Sequence, residues 1–399
     1  MKALSDLVVI DLTHMLSGPF GGMLLADLGA RTIKVEPPGK GELTRSLLAK
    51  DSKNSLNGMG AYFLTLNRNK ESICIDLKSE AGLTLFYELA GKADVVLSNF
   101  SPGVTERLKI NYEILAKINK RIITCTVSGF GESGPAYKRP AFDMVAQGYG
   151  GGMSITGQAD APPTRAGIPI GDLSGGMFSA VGVLAALHAR ERTGRGQHVD
   201  ISMQDCQISL INYMATMYFL SGEVPGAIGN SHFVHVPYNT YPTKDRWLII
   251  AIITDGGWSS FRDMMGIEDL MNEKFDTQPG RLAEKDFIEE RIVTHLKKKS
   301  CDHWLEKLAE ARIPCAPVND LEHALNDIQI QARNMVVTVA HPEGGEVRMP
   351  GNPVKMSDTG DETFAPPPLL GQQTDTVLRD LLGKSSSDIQ ALRDAGTIG

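Results

Sequence analysis

In the first half of the chain, apolar residues come in short unbroken runs separated by stretches of helical spacing. LVVIDLT at 7–13 lacks the alternation of a half-exposed strand and predicts a strand covered on both faces. The loop HMLSGP leads to a predicted helix at 20–28, which Gly29 ends. RTIKVE at 31–36 is a second strand, stopped by Pro37 and Pro38. The order recurs with SICIDL at 72–77, a helix at 81–90 and ADVVLSNF at 93–100, then a helix at 112–118 and RIITCTVS at 121–128. Strands alternating with helices predict an α/β fold with a Rossmann-like, doubly wound parallel sheet. Ligands on such sheets sit outside the carboxyl ends of the strands, which here are 14–19, 36–41, 99–103 and 128–134.

A long helical stretch at 171–191 precedes the turn RTGRG and a strand at 197–203, and 204–220 predicts one further long helix. After SGEVPGAIGN the pattern changes. WLIIAII opens a new strand group, and 286–295 and 302–311 are amphipathic helices. We therefore expect a large domain at 1–205 with 331–399, a linker helix at 206–222, and a smaller α+β domain at 223–330. The tail, with its strand-like VVTVAH and Pro-rich APPPLLG, is expected to pack back on the large domain.

Composition narrows the function. The 399 residues are 42% hydrophobic and 22% charged, with 40 Lys and Arg against 47 Asp and Glu, a net charge of −7. That balance argues against a nucleic-acid binder, though a local basic pocket can still take a small anion. Cys74, Cys125, Cys206, Cys301 and Cys315 are odd in number and show no CxxC spacing, so neither a zinc site nor a disulfide framework is expected. A reducing, cytoplasmic location fits. Asp6 and Asp11 interrupt what would be the apolar part of a signal peptide, and no apolar run is expected to reach the ~18–20 residues of a membrane span.

Four motifs bear on chemistry. GFGESG at 129–134 spells a dinucleotide fingerprint, but Pro135 and Pro140 deny it the following helix whose N-terminus would hold a pyrophosphate. GYGGGM at 148–153 lacks the lysine and hydroxyl of a P-loop, and its glycines serve either a turn or the close approach of a ligand. His232 and His235 lack a third metal ligand nearby. IGDLSGG at 170–176 sets Asp172 between Gly171 and the pair Gly175-Gly176, at the start of a long apolar helix. Asp172 reads as an N-cap, as a covalent carboxylate nucleophile, or as both. The flanking glycines would leave room for an acyl group and offer N–H groups to an oxyanion.

Together with IGDLSGG, the segments LVVIDLTHMLSGP, LGARTIKVEPPGKGE, NRNKESICIDLKS, ADVVLSNFSPG, SGFGESGP, TGQADAPP, ALHARERTGRGQHVDISMQD, ARIPCAPVND and PLLGQQTD give the chain its family likeness. In order and spacing it resembles the class III coenzyme A transferases, the CaiB–BaiF family, along nearly its whole length. The resemblance implies that Asp172 is the catalytic aspartate. It would pass through an aspartyl-acyl anhydride and an aspartyl-CoA thioester while CoA moves from an acyl-CoA, such as succinyl-CoA or acetyl-CoA, to an acceptor acid. It places Ile75 and Lys78 at the adenine of CoA, Asn99, Phe100 and Arg107 at its nucleotide and phosphates, and Met203 near its chain. His14, Met15, Leu16, Phe142 and Asp143 would form the substrate pocket. It further implies an interlocked homodimer, CoA and acyl-CoA as substrates with no permanently bound cofactor and no metal, and a covering glycine loop whose nearest counterpart is Asp255-Gly256-Gly257.

Three positions depart from branches of the family. Leu16 stands where the formyl-CoA:oxalate branch has a glutamine, and PPG at 37–39 replaces an arginine-bearing turn there, which argues against formyl-CoA or oxalate. Phe142 stands where the α-methylacyl-CoA racemase branch has a histidine, and phenylalanine moves no proton. An α-methylacyl-CoA racemase or epimerase and a non-catalytic CoA-binding protein are the alternatives.

Overall fold

The computed structural model describes residues 2–399. Six parallel strands form its larger sheet: β1 (Val8–Asp11), β2 (Arg31–Glu36), β3 (Lys70–Cys74), β4 (Val95–Ser98), β5 (Ile123–Ser128) and β6 (His198–Ser202), in the order β3-β2-β1-β4-β5-β6. Ile10 of β1 pairs with Ile33 on one side and Val96 on the other, so the direction of strand addition reverses between β1 and β4. This is the order of two βαβ halves, and a crevice opens outside the reversal point.

Both faces of the sheet are covered, so β1 and β4 read as apolar runs without alternation, while β2 and β3 bury the charged Lys34, Glu36 and Lys70 among their apolar residues. On one face, Ile10, Ile33 and Ile73 pack with Phe86 and Leu89 of α2 (Glu80–Ala90), beyond which the short α3 (Val104–Arg107) leads to α4 (Tyr112–Ile118) and its Leu115. On the other face, Val9, Val95, Leu97 and Ile123 meet Leu25 of α1 (Ser17–Asp27). After α5 (Asp143–Tyr149), the long α6 (Ile170–Thr193) adds Ala180, Val183 and Leu187 to that same layer. By length and composition α6 could cross a membrane, contrary to the expectation that no apolar run is long enough, and 50% of its most apolar stretch is buried inside the protein.

The helix expected at 204–220 is broken. Asn212, with φ 52° and ψ −124°, separates α7 (Met203–Ile211) from α8 (Tyr213–Ser221). The chain divides into two compact units. The first runs to Gly152 and includes Arg165–Gly222 and Gln329–Gly399; the second is Met153–Thr164 with Glu223–Ile328. The segment expected as a linker thus lies in the first unit as parts of two helices. The second unit has antiparallel strands β7 (Tyr238–Pro242), β8 (Trp247–Ala251) and β9 (Cys315–Pro317) with β8 in the middle, and helices α9 (Asp255–Met265), α10 (Lys285–Leu296) and α11 (Cys301–Glu310). Its core holds Trp258, Phe261, Phe275, Ile292 and Leu308. Asp255, Gly256 and Gly257 are the first turn of α9, capped by the Thr254 hydroxyl, and so are not a loop in this conformation.

The tail forms β10 (Val336–Ala340), β11 (Glu346–Pro350), α12 (Thr374–Leu382) and α13 (Ser386–Asp394). Val377, Leu378, Ile389 and Ile398 enter the core beside β3. All five cysteines are free. Among the described residues no cluster of three or more His, Cys, Asp or Glu side chains is placed to hold a metal ion.

Candidate active site

The turn after β1 is held from beneath by buried charge. Asp11 accepts the Thr13 N–H at 2.8 Å and pairs with Lys70 Nζ at 2.8 Å, while Lys34 Nζ donates to Thr13 O at 2.8 Å. Burial pushes the Asp11 carboxyl up, but Lys70 and Lys34 outweigh it and hold the group well below the usual carboxylate range. From the end of β4, Asn99 grips the next residue at both ends. Its Oδ1 accepts the His14 N–H at 2.8 Å and its Nδ2 donates to His14 O at 2.7 Å. Met15 follows at φ 64°, a strained setting for a side chain with a Cβ. Leu16 then gives α1 no side-chain cap, so the first-turn N–H groups of Ser17 and Gly18 stay available to another acceptor.

A second element brings Asp172 to this turn. Asp143, in the first turn of α5, accepts the N–H of Gly171 at 2.8 Å and of Asp172 at 3.3 Å on Oδ1, and Gln147 Nε2 at 2.8 Å on Oδ2. Asp143 therefore does for α6 what the sequence suggested Asp172 would do. Pro169 is the N-cap and Asp172 lies in the first turn. The backbone of Asp172 is tied to α1, its carbonyl accepting the Ser17 hydroxyl at 2.8 Å. No described residue donates a hydrogen bond to its carboxylate. Burial, with the nearby charge of Asp143, pushes that carboxyl up to about 6.

The glycines of the motif serve packing. A Cβ on Gly175 would lie 2.4 Å from Ser17 Oγ, and one on Gly176 would lie 2.6 Å from Ser17 O, so both glycines let α1 lie directly on α6. Inside the helix their N–H groups belong to its own hydrogen-bond ladder. The expected oxyanion role thus fails for this pair. Of the glycines of 148–153, Gly150 is spent on packing, since a Cβ there would lie 2.2 Å from Gln207 Cβ, Gly151 turns the chain at φ 80°, and a Cβ on Gly152 would meet nothing within 4 Å.

Asp172 lines a cavity of about 180 Å³ outside the ends of β1, β4 and β5, where the strand order reverses. His14, Met15, Asn99, Phe100, Phe142 and Met203 line it too. Asp143 supports it from behind. Leu16 is not in the wall, because it is turned into the cap position of α1. Ile75 is 1% exposed, packed in the core and bridged to Ile398, so its side chain offers a ligand no surface. Lys78 and Arg107 are exposed away from this wall and make no ion pair with a described residue. Ser17, Ser128 and Gly129 are wall residues within the strand-end segments 14–19 and 128–134, and Arg139 is a wall residue outside every expected segment. Arg139 precedes Phe142 by three residues in KRPAFD, which is the signal that could have found it. His14 Nδ1 and Ser128 Oγ are buried without a hydrogen-bond partner. Burial and the charge of Lys34 push the His14 imidazole pKa down, which favours the neutral ring. A smaller cavity of about 60 Å³ includes His198 and Glu132, paired at 2.8 Å. That pairing leaves neither group free as a nucleophile.

Residues 4–374 match CoA-transferase family III. An acetyl-CoA:oxalate CoA-transferase of Acetobacter aceti is 41% identical over 370 residues, covering 92% of each chain. A succinyl-CoA:mesaconate CoA-transferase of Haloarcula hispanica is 38% identical over 383 residues, 95% of this chain and 96% of that one. The crystal structure of a CaiB/BaiF family protein from Brucella suis superposes with a TM-score of 0.85 at 33% identity, covering 95% of this chain and 99% of the other. The mixed α/β fold with its parallel six-stranded sheet is therefore that of the CaiB/BaiF proteins. The chain belongs to CoA-transferase family III and is an enzyme that moves coenzyme A between an acyl-CoA and a carboxylic acid.

Proposed function

We propose that Asp172 carries the transfer as a covalent nucleophile and that the acceptor is a dicarboxylic acid. The observation behind this is a carboxylate without a partner, raised to about 6, in the wall of the cavity at the sheet's reversal point. At pH 7 such a group is still mostly ionised, and it is more basic than an ordinary aspartate, which favours attack on a carbonyl.

Asp172 attacks the thioester carbonyl, the C–S bond breaks, and an aspartyl-acyl anhydride forms as the CoA thiolate leaves. The thiolate then attacks the aspartyl carbonyl. The donor acid departs carrying one oxygen that belonged to Asp172, and an aspartyl-CoA thioester remains. The acceptor carboxylate attacks that thioester and forms a second anhydride. The thiolate then takes the acceptor's acyl carbon and restores the aspartate, which now holds one acceptor oxygen. Each step exchanges one activated acyl bond for another, and the held thiolate reacts at high effective concentration. The uncapped N–H groups at Ser17 and Gly18 would stabilise the tetrahedral oxyanions, with the positive end of the α1 dipole behind them. Phe142 offers no proton, which speaks against the racemase reading.

Asn99, Phe100 and Met203 would border the CoA chain, and Lys78 and Arg107 would serve its phosphates. His14, Met15 and Phe142 would face the acyl group. Relatives named for oxalate and mesaconate motivate a dicarboxylic acceptor. Oxalate returns among the possibilities, because a relative named for it shares 41% of its residues with this chain despite Leu16 and PPG at 37–39 here. A second copy of the chain, interlocked as a homodimer, would cover the apolar side chains exposed on α7 and α8, among them Ile208, Leu210, Phe219 and Leu220. Five free cysteines fit work in the reducing cytoplasm, with no permanently bound cofactor.

An oxygen label tests the covalent path. With both carboxylate oxygens of the acceptor as ¹⁸O, label should pass through Asp172 and emerge in the donor acid released in later turnovers. Donor acid that stays unlabelled over many turnovers would mean transfer without an enzyme carboxylate.

A further inference from the structure

Resting on the reading of a dicarboxylic acceptor, we propose that Arg139 binds the carboxylate at the far end of that acid and so sets the enzyme's preference for dicarboxylates. Among the residues lining the cavity of Asp172, Arg139 is the only lysine or arginine. It makes no ion pair with a described residue, unlike Arg45, which is held by Glu36, and Arg68, which is held by Asp27. Its guanidinium is held in place all the same. It donates to the hydroxyl of Tyr149, lies over that ring at 5.9 Å, and the ring packs edge-on against Phe130 at 5.1 Å between centroids. Tyr149 leaves most of the five guanidinium donors unused, and a hydroxyl takes none of the positive charge. A steadied, uncompensated guanidinium at the wall of a pocket is suited to a carboxylate, which it can grip through two parallel hydrogen bonds.

The rest of the wall sharpens the assignment. The other charged wall residue is Asp172 itself, and Met15, Phe100, Phe142 and Met203 are apolar. For an acid with one carboxylate at Asp172, the serines and Asn99 of the wall offer the second carboxylate neutral donors only, and Arg139 alone offers it a guanidinium. A carboxylate held by a guanidinium makes a stronger, charge-assisted contact than one held by neutral donors. A monocarboxylic acid has no group for Arg139 and gains nothing from it.

The test compares the enzyme with Arg139→Gln and Arg139→Lys, using acetyl-CoA as donor and mesaconate or butyrate as acceptor. Arg139→Gln should lower the ratio of kcat/KM for mesaconate over butyrate by about tenfold or more, mainly through KM for mesaconate. Arg139→Lys should recover part of that ratio, because a point charge replaces a fork. The KM for succinyl-CoA, which carries its own far carboxylate, should rise with that for mesaconate, and the KM for acetyl-CoA should not. An unchanged ratio would overturn the proposal. So would an equal rise in KM for acetyl-CoA and succinyl-CoA, which would assign Arg139 to the CoA phosphates. Original enzyme that serves butyrate as well as mesaconate would overturn the dicarboxylate reading itself, separately from any effect of the variants.

Discussion

At the scale of single residues, the account turns on one carboxylate kept short of partners. Asp172 sits in the first turn of a helix, yet its neighbour Asp143 takes the N–H groups that would otherwise hold it. A carboxyl raised from 3.8 to about 6 on folding destabilises the native state. The penalty is absent below the unfolded value near 3.8 and complete above about 6, because only the ionised form suffers from burial and from Asp143. Asp172→Asn should therefore abolish transfer and also stabilise the fold, by on the order of 1–2 kcal/mol at pH 8 after allowance for partial exposure. That gain should shrink as pH falls through 6, and urea unfolding across this range would detect it. A gain independent of pH, or none, would show that Asp172 is not strained by its charge. IGDLSGG alone left Asp172 open as an N-cap or a nucleophile, and the likeness of the whole chain to its family is what gave it the catalytic reading. The partner that shapes it, Asp143, lies 29 residues earlier and carries no local mark of a capping role, so its task became visible only when α5 and α6 met.

The elements set the geometry through close backbone contact. A Cβ on Gly21 of α1 would lie 2.2 Å from Ser179 Oγ and 3.0 Å from Gly176 O, so the helices approach this closely because Gly21 faces Gly176 and the small Ser179. Gly21→Val should cost about 1–3 kcal/mol through overpacking, and should lower activity as well by moving Ser17 away from Asp172. A urea midpoint and a turnover assay together check this, and unchanged values would mean that the helices tolerate separation. Parallel strands are easily legible where burial on both faces leaves apolar runs such as VVI at 8–10 and VVL at 95–97, whereas RTIKVE buries Lys34 and Glu36 and reads as a strand through its position between a helix and Pro37-Pro38. The break between α7 and α8 was not legible. Asn212 adopts φ 52°, which a short polar residue tolerates, and the hydrophobic spacing runs on through it. The IGDLSGG glycines misled for a similar reason. A sequence shows that a side chain is missing, not whether a ligand or a neighbouring helix fills the space.

Across the whole molecule, three loops far apart in sequence converge because the strand order reverses between β1 and β4. Residues after β1, β4 and β5 all reach the cavity of Asp172. Three of the four strand-end segments expected to bind ligand contribute to its wall, while 36–41 does not. Ile75 illustrates what no local pattern could reveal. It ends an apolar run next to a proposed ligand position, but Ile398 from the far end of the chain seals it. An acidic chain of net charge −7 nonetheless keeps Lys78, Arg107 and Arg139 exposed and outside ion pairs, in keeping with anionic substrates. The most direct measurement is mass spectrometry of the protein after incubation with an acyl-CoA and no acceptor, quenched in acid and mapped by peptide. The account predicts acyl or CoA mass on the peptide bearing Asp172, and on no other, and its absence from Asp172→Asn. Turnover with no adduct at Asp172, or an adduct on a different residue, would contradict it.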